Sequence, residues 1–311
     1  MPTSLKGRDF TSIRPWTRSE LEQVLDLADE LKAKRAAGEP TTDLLPGRSV
    51  GLIFQKHSTR TRVSFEVGVA ELGGTPLHLT DDLQLGRGEP VRDTAYVLSS
   101  YLHAIMIRTF GQAMVDELAE HASIPVVNGL TDEEHPCQAL ADLMTIRERF
   151  GRVEGVRVTY VGDGNNVCVS LMQCCARLGA RFVAATPGDY QPPSAEVAEA
   201  RTEAAKTGGS VDVVAEAADA ANGAHVLYTD VWTSMGQEAE RTARLHAFRG
   251  YAVTPQLVGL ADPDAIVLHC LPAHVGEEIS EEVLYGPQSA VWDQAENRLH
   301  AQKALLALIV P

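Results

Sequence analysis

An alternation of short and long segments constrains this chain most. Short β-branched or apolar runs at residues 49–54, 77–80, 104–109 and 124–130 are separated by longer stretches with helical spacing. After Gly151 the pattern restarts, with further short runs at 156–161, 182–186, 211–215, 226–231 and 265–271. Strands that alternate with helices pair in parallel and carry the helices on both faces of the sheet. The expected fold class is therefore α/β with two domains, each a mainly parallel sheet flanked by helices. The restart predicts domains at 1–150 and 151–294, the first completed by a C-terminal helix at 295–311. Ahead of the first strand, Thr17 and Glu20 fit a capping box, and Leu21, Val24, Leu25, Ala28 and Leu31 follow at helical spacing. Gly38 and Pro40 end that helix.

With 44% of 311 residues hydrophobic, both halves can bury a core. The formal net charge of -15 comes from 27 Lys+Arg against 42 Asp+Glu. That balance disfavours nucleic acid and anionic membrane as partners, because both require a basic surface. The first ten residues are polar and lack the apolar core of a signal peptide, and no apolar run approaches a membrane span. A cytoplasmic location is expected. Five cysteines, Cys137, Cys168, Cys174, Cys175 and Cys270, fit neither a disulfide framework nor paired zinc-ligand spacing. They are expected as reduced thiols, with no metal site.

Open parallel sheets bind ligands at the carboxyl ends of their strands, so the loops after the strands are where chemistry is sought. Ser58-Thr59-Arg60-Thr61-Arg62 follows the first strand and opens a helix. A helix N-terminus with hydroxyls and guanidiniums offers donors suited to phosphate oxygens. Capping by Ser58 with solvated arginines is the plainer explanation, although this pentapeptide arises by chance in only about one such chain in ten thousand. Arg108 ends an apolar strand and, taken alone, reads equally as a surface residue. His135-Pro136-Cys137-Gln138 starts another helix, with Pro136 suited to its first position. His135 and Gln138, three apart, share one face, and both a neutral imidazole and a carboxamide can donate to a carbonyl oxygen.

In the second half, Val161-Gly162-Asp163-Gly164-Asn165-Asn166 resembles a dinucleotide fingerprint only superficially. Val167 replaces the third glycine, and no acidic residue ends the next strand. The turn is better read as aiming Asn165 or Asn166 at a small polar ligand. Two further loops, Asp230-Val231-Trp232-Thr233-Ser234-Met235-Gly236 and His269-Cys270-Leu271-Pro272, lie at strand ends and can converge on an interdomain cleft. Separately, Cys270 also reads as a small buried hydrophobe and Asp230 as a helix cap.

Together these motifs resemble the aspartate/ornithine carbamoyltransferase family. Ser58 to Arg62 is similar to its carbamoyl phosphate motif and His135 to Gln138 to its His-Pro-x-Gln motif. The loops at Asp230 to Gly236 and His269 to Pro272 resemble those of its ornithine-using branch, in the same order along essentially the whole chain. Gln55, His57 and Val275 depart from residues frequent in the family, at positions that are not ligands.

The resemblance implies transfer of the carbamoyl group of carbamoyl phosphate to the δ-amine of L-ornithine, giving citrulline and phosphate, without metal or organic cofactor. It implies carbamoyl phosphate ligands Ser58, Thr59, Arg60, Thr61, Gln84, Arg108, His135, Gln138, Cys270, Leu271 and Arg298, mainly on the first domain. Ornithine ligands on the second are Asn166, Asp230, Ser234, Met235 and Cys270. Arg60, Arg108, His135 and Cys270 are the expected catalytic set. The family also implies a homotrimer or a multiple of trimers, with Gln84 reaching the neighbouring subunit's site. Within that reading Asp230 is assigned to the α-ammonium, because a carboxylate at the δ-ammonium would hold the nucleophile in its charged form. Asn166 and the Met235 backbone then take the α-carboxylate, and Cys270 and the Leu271 carbonyl meet the δ-nitrogen. Aspartate carbamoyltransfer, or a non-catalytic sensor on the same scaffold, is the alternative.

Overall fold

The computed structural model describes residues 4–79, 85, 88–233 and 238–311. The chain divides into two compact units, one of Met1–Met144 with Asn297–Pro311 and one of Thr145–Glu296. The first strand-helix series runs α1 (Arg18–Ala36), β1 (Ser49–Phe54), α2 (Arg60–Glu71), β2 (Thr75–Leu79), α3 (Val91–Tyr101), β3 (Ala104–Arg108), α4 (Gln112–His121), β4 (Val126–Leu130) and α5 (Pro136–Phe150). The second continues with β5 (Arg157–Val161), α6 (Asn166–Arg177), β6 (Arg181–Ala185), α7 (Ser194–Thr207), β7 (Ser210–Val214), α8 (Ala217–Ala221) and β8 (Val226–Thr229). It ends with α9 (Arg241–Ala247), α10 (Pro255–Val258), β9 (Ile266–His269), α11 (Glu281–Leu284) and α12 (Val291–Ile309).

Each expected strand is present, and every pairing between named strands is parallel. α1 carries the expected capping box, with Thr17 accepting from the Glu20 amide and Glu20 accepting from the Thr17 amide. α12 begins at Val291, earlier than the expected 295. Ala290 and Val291 are buried, and the Ala290 carbonyl accepts from the Gln294 amide at 2.9 Å, so the apolar residues ahead of Gln294 already take helical bonds.

The strand orders locate the ligand-binding edges. The first sheet runs β2-β1-β3-β4 and the second β7-β6-β5-β8-β9. In each, the winding direction reverses once, between β1 and β3 and between β5 and β8. Crevices open at such points because the connections leave the two neighbouring strands toward opposite faces. Ser58 and Thr59 follow β1 and lead into Arg60 and Thr61 at the start of α2, Arg108 ends β3, and the loops after β5 and β8 hold Asn165 and Asp230. Leu52, Ile53, Ile105, Ile107 and Val126 fill the core of the first sheet, and Val161, Leu227 and Val267 that of the second.

Candidate active site

In the first unit, α2 starts beyond β1 with the Ser58 hydroxyl accepting from the Thr61 amide at 3.1 Å. Ser58 is therefore a cap, as the plainer explanation has it, and the cap leaves Arg60 exposed while Thr61 is buried. Arg62 goes elsewhere and lies over the Phe54 ring. The β3–β4 register slips between Ile107 and Arg108. Such an irregularity re-aims the side chain at its end, and Arg108, 7% exposed, brings Nη1 to 3.5 Å from Thr61 Oγ1. On the neighbouring strand, a Cβ at Gly129 would stand 2.5 Å from Met106 Sδ, so a side chain there would push the Met106 thioether aside.

Pro136 opens α5, and the His135 carbonyl accepts from the Gln138 amide at 3.1 Å. Gln138 is held at both ends of its amide: Nε2 donates to Asp142 Oδ1 at 2.8 Å, and Oε1 accepts from Arg298 Nη1 at 2.7 Å. Arg298 Nη2 also donates to Thr61 Oγ1 at 3.2 Å. Helix α12 thus ties the start of α2 to the start of α5. Burial, and then the charges of Arg298, Arg108 and Arg60, hold the His135 imidazole well below its ordinary pKa. It is neutral at physiological pH and keeps one N–H to donate. Cys137, in the same motif, is buried, donates to the Asn128 carbonyl, and has its thiol pushed up to about 12 by burial.

In the second unit, Asn165 caps α6, its Oδ1 accepting from the Val167 and Cys168 amides at 3.0 and 3.1 Å. Its Nδ2 donates to Asp230 Oδ2 at 2.8 Å, while the Cys270 thiol donates to Asp230 Oδ1 at 2.9 Å. Asn166, the residue expected to meet a ligand, occupies the first helical position half-buried beside it. Asp230 itself is 5% exposed.

The glycines of this turn serve backbone approach. A Cβ at Gly164 would stand 2.2 Å from the Pro192 nitrogen, and Gly162 holds φ +135°. Asp163 between them pairs with Arg244 of α9 at 2.7 Å, and the same Arg244 Nη1 donates to the Trp232 carbonyl at 2.9 Å. Burial pushes the Asp163 carboxyl up to about 6 against the opposing pull of Arg244.

At the end of β9, the Leu271 amide donates to His269 Nδ1 at 2.9 Å, so the ring proton resides on Nε2 and faces Glu278 Oε1 at 3.0 Å. Both partners are fully buried. This bond fixes the turn in which Leu271 adopts φ +59°, a conformation that costs a non-glycine residue energy and clusters at ligand sites. Asp230, His269 and Cys270 each offer a metal-ligand atom, all within 4.8 Å of one another, as do His274, Glu277 and Glu278. In the first group His269 already uses both ring nitrogens.

The structure thus brings Thr61, Arg108, His135, Gln138 and Arg298 together in the first unit, with Ser58, Thr59 and Arg60 at the same helix start. It brings Asp230 and Cys270 together in the second, with Leu271 next in the chain. Gln84, Ser234 and Met235 lie outside the described residues. Asp163, Arg244 and Glu278 were not expected to support the site, and Asn165, expected with Asn166 to face a ligand, is the residue that caps α6. Asparagine directly ahead of a helix is a capping signal, and the adjacent pair Asn165-Asn166 leaves open which of the two caps.

Residues 8–148 match the carbamoyl-P binding domain of aspartate/ornithine carbamoyltransferase, and residues 154–309 its Asp/Orn binding domain. The chain belongs to the aspartate/ornithine carbamoyltransferase family. It is 57% identical to an ornithine carbamoyltransferase of Symbiobacterium thermophilum, with 99% of each chain covered. It is 52% identical to one of Pyrococcus abyssi, covering 100% of this chain and 98% of that one. The structure of ornithine carbamoyltransferase from Pyrococcus furiosus superposes with a TM-score of 0.97 at 51% identity, covering 99% of this chain and 98% of that one.

Proposed function

We propose that the protein transfers the carbamoyl group of carbamoyl phosphate to the δ-amine of L-ornithine, releasing L-citrulline and phosphate. The observation that carries this reading is the setting of Asp230. Its two oxygens accept from an amide and a thiol, both neutral, so the carboxylate keeps its charge for a cationic substrate group. The neighbouring arginine, Arg244, is already spent on Asp163 and Glu240. A dicarboxylate acceptor such as aspartate would meet Asp230 as a repulsive charge.

In the first unit, Arg60, Arg108 and Arg298 supply positive charge for the phosphate, with Ser58, Thr59 and Thr61 as hydroxyl donors. Neutral His135 donates to the carbonyl oxygen, and Gln138 orients the carbamoyl amide. Losing a single donor to a developing oxyanion typically costs about 10²–10³ in rate. The nitrogen–carbon bond forms, the carbon–oxygen bond to phosphate breaks, the adduct's nitrogen loses a proton to the departing phosphate, and before any of this a proton must leave the δ-ammonium to free the amine.

That proton is the difficulty on the ornithine side, since an amine of pKa near 10.4 is only about one part in a thousand neutral at pH 7.4, a penalty of about 4 kcal/mol. Asp230 takes the α-ammonium, with Asn166, Ser234 and Met235 at the α-carboxylate and the Leu271 carbonyl at the δ-nitrogen. Cys270 donates to Asp230 in the resting protein. It meets the δ-nitrogen as an acceptor once the substrate ammonium has replaced it on Asp230.

Assembly as a homotrimer or a multiple of trimers, with Gln84 completing a neighbour's site, belongs to the same reading. The exposed Tyr96, Val97 and Tyr101 of α3 support a protein-facing surface. A cytoplasmic location is in keeping with the lack, among the described residues, of any helix long and apolar enough to cross a membrane.

The test is to incubate the purified protein with carbamoyl phosphate and, separately, ornithine, putrescine, N-acetylornithine and aspartate, and to measure the carbamoylated product. Citrulline alone is expected. Carbamoyl-aspartate would establish the aspartate reaction, and no product from any amine would establish the sensor.

A further inference from the structure

The second unit contains two buried aspartates with opposite surroundings. Asp163 is matched by the guanidinium of Arg244, which leaves it no charge to offer a ligand. Among the described residues, the donors to Asp230 are neutral, one of them Asn165. A neutral brace fixes a carboxylate's direction without cancelling its charge, which is what recognition of a substrate cation requires.

The Asn165 amide can sit only one way round. Its Oδ1 faces three donors, the amides of Val167 and Cys168 and the Tyr160 hydroxyl at 3.1 Å. Turning the amide over would set its NH₂ against those donors and its oxygen against the Asp230 carboxylate. Burial and the nearby Asp230 hold the Tyr160 phenol well above its ordinary pKa, so it keeps its proton and remains a donor. Tyr160 is itself clamped by stacking on Tyr228, whose hydroxyl accepts from Gln294 at 3.1 Å. The chain of bonds therefore runs in one direction, from the Tyr160 hydroxyl to the Asn165 oxygen and from the Asn165 nitrogen to Asp230. It ties the turn after β5 to the turn after β8.

We propose that Asn165 is a positioning residue for amino-acid binding, fixing the Asp230 carboxylate through Nδ2 so that its charge meets the α-ammonium in a set direction. This rests on the reading of Asp230 given under the proposed function.

Asn165→Ser and Asn165→Asp both retain an oxygen that caps α6 but lack the amide donor, and the aspartate sets a second carboxylate against Asp230. The measurements are steady-state kinetics in both substrates and thermal unfolding for each variant, with Asp230→Asn alongside. Asn165→Ser is expected to melt close to wild type and Asn165→Asp lower, as its two carboxylates repel, and both are expected to raise the ornithine KM about 10- to 100-fold, the loss of one charge-assisted bond, with the carbamoyl phosphate KM unchanged. An unaltered ornithine KM in the folded Asn165 variants, with a raised one in Asp230→Asn, would overturn the inference and leave the reading of Asp230 intact. An unaltered ornithine KM in Asp230→Asn as well would overturn both. Equal rises in both KM values with a lowered melting temperature would assign Asn165 a purely structural role and overturn the inference.

Discussion

Arg298 donates Nη1 to Gln138 Oε1 at 2.7 Å across 160 residues of sequence. The same guanidinium reaches Thr61, so one side chain sets the spacing between the starts of α2 and α5. Arg298→Met keeps much of the bulk and removes the donors. It is expected to raise the carbamoyl phosphate KM by about two orders of magnitude, since truncating a buried hydrogen-bonded charge typically costs 2–5 kcal/mol. Isothermal titration with carbamoyl phosphate checks it, and wild-type affinity would remove Arg298 from the phosphate site.

His135 stays neutral because burial and three guanidiniums oppose its protonation. In the unfolded chain the imidazole takes a proton below about pH 6.5, whereas in the fold it does so only well below that. Between the two values the unfolded state binds more protons, so this group's contribution to stability is full above pH 6.5 and declines as the pH falls beneath it. Melting temperature measured from pH 7.5 to 5 is expected to fall less steeply for His135→Asn than for wild type. Turnover is expected to drop about 10²-fold or more in His135→Leu, which offers no donor at that position. Parallel melting curves would show that His135 titrates normally in the fold.

Breaking the Asp163–Arg244 pair strands a buried charge. Arg244→Met is expected to destabilise the protein by about 3–5 kcal/mol, and the double variant Asp163→Asn/Arg244→Met to recover much of that loss. With Asp163 titrating at about 6 in the fold and near 3.9 unfolded, the folded state binds the extra proton between these values. Its contribution is therefore full below the unfolded value and is lost as the pH rises through 6. Denaturant unfolding of wild type and Asp163→Asn across pH 3.5 to 7 measures that slope, and an identical slope in both would refute it.

Cys270→Ala removes a donor to Asp230 and the proposed acceptor for the δ-nitrogen. Turnover is expected to fall about a hundredfold or more, the lower range for acid–base catalysis being about 10², with carbamoyl phosphate affinity unchanged. Unchanged turnover takes Cys270 out of the mechanism.

The strands were legible because each is a short apolar run bounded by turn residues, and the candidate ligands because they follow those runs directly. What escaped was support from a distance. Arg244 and Glu278 are ordinary charged residues in sequence, and nothing local says that Asp163 or His269 buries with them. The choice between Asn165 and Asn166 was also out of reach. The residues are chemically identical, and one position along a helix start decides which of them caps and which faces outward. The start of the C-terminal helix lies ahead of the expected position because Ala290, Val291 and Trp292 carry no capping signal, and only the burial of Ala290 and Val291 and the bond from the Gln294 amide to the Ala290 carbonyl reveal the extra turn.

The first compact unit is interrupted: Asn297–Pro311 belongs with Met1–Met144, and the whole of Thr145–Glu296 lies between them in the chain. During synthesis, the segment bearing Arg298 leaves the ribosome only after the second unit has been made. Until then Thr61 and Gln138 lack their shared partner, whatever the first strands have already formed. A chain arrested anywhere before residue 298 leaves the starts of α2 and α5 without the guanidinium that joins them.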